Sequence, residues 1–207
     1  VTPIEPDEPD EPSIFDYDAI ATLPYGYNFA DGIDPYVVAG NGEAVNQWYV
    51  GQAQTFDNKK LYISSNFGVT NKYDVTKAST VVAYRDVMVP ATGAVLSFDY
   101  RVNGQAGYDY LQVSLEHGNE AVPVAQLSGK NEWTSFSYDI SGELAGEVRV
   151  KFTWVNNATN GNQFPAAIDN LSVIETPCSQ PTALTATVDS TTAVISWVAV
   201  EGQTAWN

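Results

Sequence analysis

The sequence predicts an all-β protein: an antiparallel jelly-roll β-sandwich, followed by the first strands of a second β-sandwich. Three observations carry this. Apolar and polar residues alternate over short runs. Turns containing Gly, Asn or Asp separate those runs, as at Asn103-Gly104 and Asn160-Gly161. No stretch holds a long helical period.

The chain opens on residues 1–12, VTPIEPDEPDEP, with proline at positions 3, 6, 9 and 12 and carboxylates between. Such a segment neither pairs as a strand nor continues a helix, so it reads as an extended, self-repelling linker. The alternating pattern occupies 13–176. In 94–102, Leu96, Phe98, Tyr100 and Val102 oppose Ser97, Asp99 and Arg101. In 109–116, Leu111, Val113 and Leu115 oppose Gln112, Ser114 and Glu116. In 146–155, Val148, Val150, Phe152 and Trp154 oppose Arg149, Lys151 and Thr153. Further strands are expected at 61–65, 80–89, 122–127, 133–140 and 166–174. Ser141 to Ala145 reads as a single helical turn opened by Ser141. About eight strands in one stretch suit a two-sheet sandwich. A second unit is expected over 177–207.

Composition narrows the function classes. The chain has 207 residues, 44% of them hydrophobic, which is ample for a packed core. Its 25 acidic residues against nine basic ones give a net charge of −16. A nucleic-acid or anionic-membrane partner needs a basic surface that this chain lacks. No run reaches the roughly 18 apolar residues of a membrane helix. The single cysteine, Cys178, leaves no intrachain disulfide. The single histidine, His117, sits in the polar run Glu116 to Glu120 and reads as a hairpin residue.

Several segments resemble known families. AAIDNLSV at 166–173 resembles the closing strand of the cleaved-adhesin family of Bacteroidetes surface proteins and of the related MAM domains. Trp133 to Ile140, then Leu144 to Phe152, is similar to that family's penultimate strands. Val89-Pro90 before Leu96-Ser97-Phe98, and Ile14-Phe15-Asp16 at the start, resemble it further. In 177–207, Pro181, Leu184 and Ala193 to Trp197 resemble the opening strands of a fibronectin type III domain.

The resemblance implies a non-catalytic adhesion or ligand-binding module of a larger bacterial protein, secreted or lipid-anchored at the cell surface. Its partners would be a glycan or an extracellular protein, beside adjoining domains of the same polypeptide. It also implies a structural Ca²⁺, with Asp169 and Asp16 as carboxylate ligands. Glu43, in the turn Gly40-Asn41-Gly42-Glu43, is a third candidate. Alternation puts Asp169 on the same face as Leu171 and Val173. A carboxylate there must be paired, hydrogen-bonded or metal-bound. Acceptance of backbone N–H groups at a strand end is the alternative to Ca²⁺.

Tyr25, Tyr27, Tyr36 and Trp48 lie in or beside a polar, Gly/Pro-containing stretch. They are candidate ligand-stacking rings, or else cover one end of the core. Trp133, Trp154 and Trp197 read as core. A structural spacer and a jelly-roll glycoside hydrolase are the rival readings. The hydrolase needs two facing carboxylates in a groove, and no mid-strand pair among aromatics presents itself.

Overall fold

The computed structural model describes residues 20–30, 37–159, 161–176 and 182–198. The chain divides into two compact units, Val1–Glu175 and Thr176–Asn207. The linker at 1–12, the start at Asp16, the segment holding Tyr36, and Pro181 lie outside the described residues.

The first unit is all-β: β1 (Tyr25–Tyr27), β2 (Val38–Gly40), β3 (Gln47–Gly51), β4 (Lys60–Ser64), β5 (Ser79–Val89), β6 (Ala94–Val102), β7 (Tyr110–His117), β8 (Glu120–Leu127), β9 (Lys130–Ile140), β10 (Gly146–Asn156) and β11 (Ala167–Glu175). One sheet runs β3-β4-β11-β6-β9, with β1 also paired to β11. The other runs β2-β5-β10-β7-β8. All pairings between these strands are antiparallel. The architecture is the expected jelly-roll sandwich. The expected helical turn is a 3₁₀ turn at Gly142–Leu144, where Ser141 Oγ accepts from the Glu143 N–H at 3.2 Å.

The alternation read in the sequence builds the core. Leu96, Phe98 and Tyr100 of β6 face Val148, Val150, Phe152 and Trp154 of β10, all buried. The Phe98 and Phe152 rings meet edge to face at 5.2 Å and tie the two sheets together. Residue 48 corrects the sequence reading. Trp48 is 2% exposed, and its indole N–H donates to the Val81 carbonyl at 3.1 Å. It lies in β3 rather than in a loop, so its ring fills the core and is closed to any ligand.

A buried polar network closes one end of the sandwich. The Asn46 amide donates to Ser79 Oγ at 2.9 Å, Asn156 Oδ1 at 3.1 Å and the carbonyls of Asp74 and Lys77. Trp154 Nε1–H donates to the same Asn156 oxygen. Every donor of that amide is satisfied, and with the buried Tyr73 ring packed edge to face on Trp154 at 5.2 Å it pins the long β4–β5 connection.

The second unit contains β12 (Thr182–Val188) and β13 (Ala193–Val198), paired antiparallel. Their connection is organised by Asp189. Its carboxylate accepts from the N–H groups of Thr191 and Thr192, and its pKa is lowered to about 2, chiefly by the Thr191 bond.

Candidate functional site

The outward face of the first sheet gathers the functional side chains, through an irregularity of register in β11 and plain alternation in β9. Alternation would send Asp169 inward with Leu171 and Val173. Instead the β11–β6 register shifts between Asp169 and Ser172, and Asn170 takes a left-handed backbone conformation (φ 49°). Asn is among the few residues that tolerate it. The bulge leaves Ile168 and Leu171 inside and turns both Asp169 and Asn170 outward. Asp169 is therefore on the face opposite to the one that alternation implies.

There Asp169 meets Lys60, with Nζ 2.5 Å from Oδ2. Both side chains are more than nine-tenths buried, 5% and 9% exposed. The Lys60 ammonium also reaches Asp57 at 3.3 Å and donates to the Asn58 side-chain oxygen. The second oxygen of Asp169 accepts from the Asn170 backbone N–H at 2.9 Å. Both alternatives to Ca²⁺, a paired cation and a backbone N–H, thus meet at this carboxylate. Glu43 lies exposed in the β2–β3 turn. Among the described residues no three His, Cys, Asp or Glu side chains converge as a metal site. The described part of the expected Ca²⁺ set does not fit the ion. A lysine ammonium holds the position at Asp169.

On β9, Trp133 shares the parity of Ser135 and Ser137, opposite to the inward Phe136, Tyr138 and Ile140, and so lies on the sheet surface, 38% exposed. The β6–β9 register shifts just beyond it, between Tyr100 and Val102. The core role read for Trp133 belongs to Trp154, which is fully buried. The Trp133 ring leans on Phe56 at 6.0 Å, with Lys60 Nζ 5.4 Å and the Arg101 guanidinium 5.8 Å from its centroid. Its position on a paired strand fixes it as a platform.

Beside Trp133 lies an ordered polar cluster. Asp99 of β6 stands opposite Asp169 of β11 and opposite Ser135 of β9. Its carboxylate accepts from Ser135 Oγ at 2.6 Å and from the Asn170 amide at 2.7 Å. Those two bonds, Ser135 first, hold its carboxyl below the usual carboxylate range. One further step along the strands, Gly26, Ser172, Ser97 and Ser137 align across β1, β11, β6 and β9. Four small residues in one cross-strand row leave a trough lined by hydroxyls. At about 4.8 Å per strand it is roughly 14 Å long. Its β1 end opens into a groove of about 420 Å³ lined by Gly26, Tyr27, Asn28, Asn170, Leu171 and Ser172.

The remaining expected rings are placed as follows. Tyr25 and Tyr27 are half-buried against the core. Tyr25 stacks under Arg85 at 4.8 Å, and Tyr27 meets Phe29 edge to face at 5.0 Å. Of these two rings, Tyr27 borders the site, through the groove. Sequence reasoning missed Trp133, the Asp99–Ser135–Asn170 cluster and Phe67. Phe67 is 89% exposed at φ 57° in a turn closed by Asn66, whose side chain accepts from the Thr70 N–H at 3.0 Å. That turn rests on Tyr49 and Tyr62 of β3 and β4, with the Tyr62 hydroxyl donating to the Gly68 carbonyl. Trp133 and Phe67 therefore stand toward opposite edges of one sheet.

Neither family models nor curated proteins give a match to this chain. Solved structures do. A family 61 carbohydrate-binding module in complex with β-1,4-galactotriose is similar with 12% identity and a TM-score of 0.49, over 72% of this chain and 94% of that one. A xylan-binding domain of family 22 is similar with 16% identity and a TM-score of 0.47, over 73% and 93%. A cleaved-adhesin domain of Lys-gingipain from Porphyromonas gingivalis is similar with 14% identity and a TM-score of 0.47, over 74% and 98%. These are likenesses of fold; the ligand chemistry of this chain is read from its own side chains.

Proposed function

We propose that the first unit is a non-catalytic module that binds an extended carbohydrate chain outside the cell, along the outward face of the β3-β4-β11-β6-β9 sheet. One observation carries the reading: Trp133 is held exposed on a strand, directly beside the fixed Asp99–Ser135–Asn170 cluster. A sugar presents an apolar C–H face and a rim of hydroxyls. An indole platform takes the first, and oriented carboxylate, amide and hydroxyl groups take the second. The hydroxyl-lined trough suits a chain crossing several strands more than a single sugar. Binding without hydrolysis fits the carboxylates. A general acid needs a raised pKa. Asp99 is held below its ordinary range and Asp169 is ion-paired with Lys60.

Affinity electrophoresis through gels loaded with single soluble polysaccharides tests this. Wild type should be retarded by at least one glycan, and Trp133→Ala should lose that retardation while keeping its melting temperature. Ser97→Trp, which fills the trough, should lose it too. Unchanged retardation in both variants would move the site elsewhere. No retardation by any glycan would favour a spacer.

A further inference from the structure

The sheet face that carries Trp133 also carries a cation with no carboxylate in contact among the described residues. Lys60 reaches Asp169 and Asp57, Arg149 reaches Asp86, and Lys151 reaches Glu116. Arg101 reaches no carboxylate within ion-pair distance among the described residues. Its Nη2 donates to Asn71 Oδ1 at 2.9 Å, and its buried Nε has no hydrogen-bond partner. Rings pack around the guanidinium: Phe164 at 4.2 Å, Phe56 at 5.2 Å and Trp133 at 5.8 Å.

This arrangement is unexpected on charge grounds. The chain has 25 carboxylates for nine cations, so partners were abundant. A half-buried guanidinium with an unpartnered N–H and no carboxylate in contact costs stability, and a ligand anion would recover part of that cost on binding. Burial lowers the Arg101 pKa and outweighs the opposing effect of the Glu132 carboxylate, which lies beyond ion-pair contact. The guanidinium fork matches carboxylate and sulfate oxygens, and the stacked rings hold it in place.

Resting on the glycan-binding reading above, we infer that the bound chain is acidic, with a carboxylate- or sulfate-bearing sugar unit placed against Arg101 next to the Trp133 platform.

The probes are polygalacturonate, its fully methyl-esterified form, and dextran sulfate, titrated calorimetrically at low and high salt. The expected result is binding of an acidic polymer that weakens with salt and is lost on esterification. Arg101→Gln should weaken it by at least about tenfold. Arg101→Lys should restore part of it, since charge returns without the planar fork. The two anionic polymers separate a carboxylate preference from a sulfate preference. Equal affinity for polygalacturonate and its ester would overturn the inference, as would binding of a neutral glycan that is indifferent to Arg101→Gln. Either result leaves the glycan module standing. Absence of binding to every glycan tried removes both. Should Arg101→Gln fail to fold, the salt dependence and the ester comparison on wild type still decide.

Discussion

The two outward faces of the sandwich differ in how their charges close. On the second sheet Asp86 grips Arg149 through two bonds, at 2.7 and 2.8 Å, and the guanidinium lies 3.7 Å above the Tyr84 ring. Asp86 raises the Arg149 pKa. Lys151 meets Glu116 at 2.6 Å on the adjacent strand. Arg149 and Lys151 there already have their acceptors, and the Tyr84 ring is covered by an arginine. On the first sheet Trp133 keeps 38% of its surface exposed, Arg101 has no carboxylate in contact among the described residues, and a row of serines leaves space. A surface that satisfies itself has little left for a ligand. One that leaves a ring, a cation and a trough unsatisfied has binding free energy in reserve.

The largest effect should come from the one closed element of the open face. Lys60→Ala leaves Asp169 buried without its cation and should lower stability by about 3–5 kcal/mol in urea unfolding. Lys60→Met with Asp169→Leu should recover most of that loss. A double variant as unstable as the single one would mean the pair's partners, not its charge, set the cost. Next, Trp133→Ala should weaken glycan binding by about 2 kcal/mol or more with little change in stability. The converse holds on the closed face. Asp86→Ala should cost about 1–3 kcal/mol of stability and leave glycan affinity unchanged. If Asp86→Ala instead weakens binding, the contrast between the faces fails.

A smaller effect concerns pH. The Asp99 carboxyl is depressed in the folded state by Ser135 and Asn170. Its contribution is complete above the unfolded value of about 3.9 and disappears as pH falls through the lower folded value. Asp99→Asn should flatten the acid limb of the stability profile in that window. An unchanged limb would show the two hydrogen bonds to be immaterial.

Much of the fold was legible because alternation and turn residues are local properties. The runs at 94–102, 109–116 and 146–155 became strands with the inward residues that parity assigns. What escaped was register. Asp169 was assigned to a face by parity and sits beside a shift that parity cannot count across, whereas Trp133 was read as core although it shares the outward parity of Ser135 and Ser137. The serines at 97, 137 and 172 were visible as polar strand positions. Their alignment into one row depends on which strands pair, which no single strand encodes. Trp48 was misread for a different reason. Its short strand is flanked by polar turns, so its indole resembled a loop ring until β4 and Val81 closed over it. The resemblance at 166–173 pointed to Asp169 as a cation ligand. A cation is present, but it is Lys60, 109 residues away in sequence.

The most direct test of the central claim is a two-dimensional amide and indole NMR titration of the labelled chain with an oligosaccharide from the glycan that retards it. The account predicts shifts at the Trp133 indole N–H, at the Asn170 side-chain amide, and at the backbone of Ser97, Ser135 and Ser172. The Arg149 and Tyr84 signals should stay still. Shifts confined to Arg149, Tyr84 and their neighbours would place the site on the other sheet and contradict it.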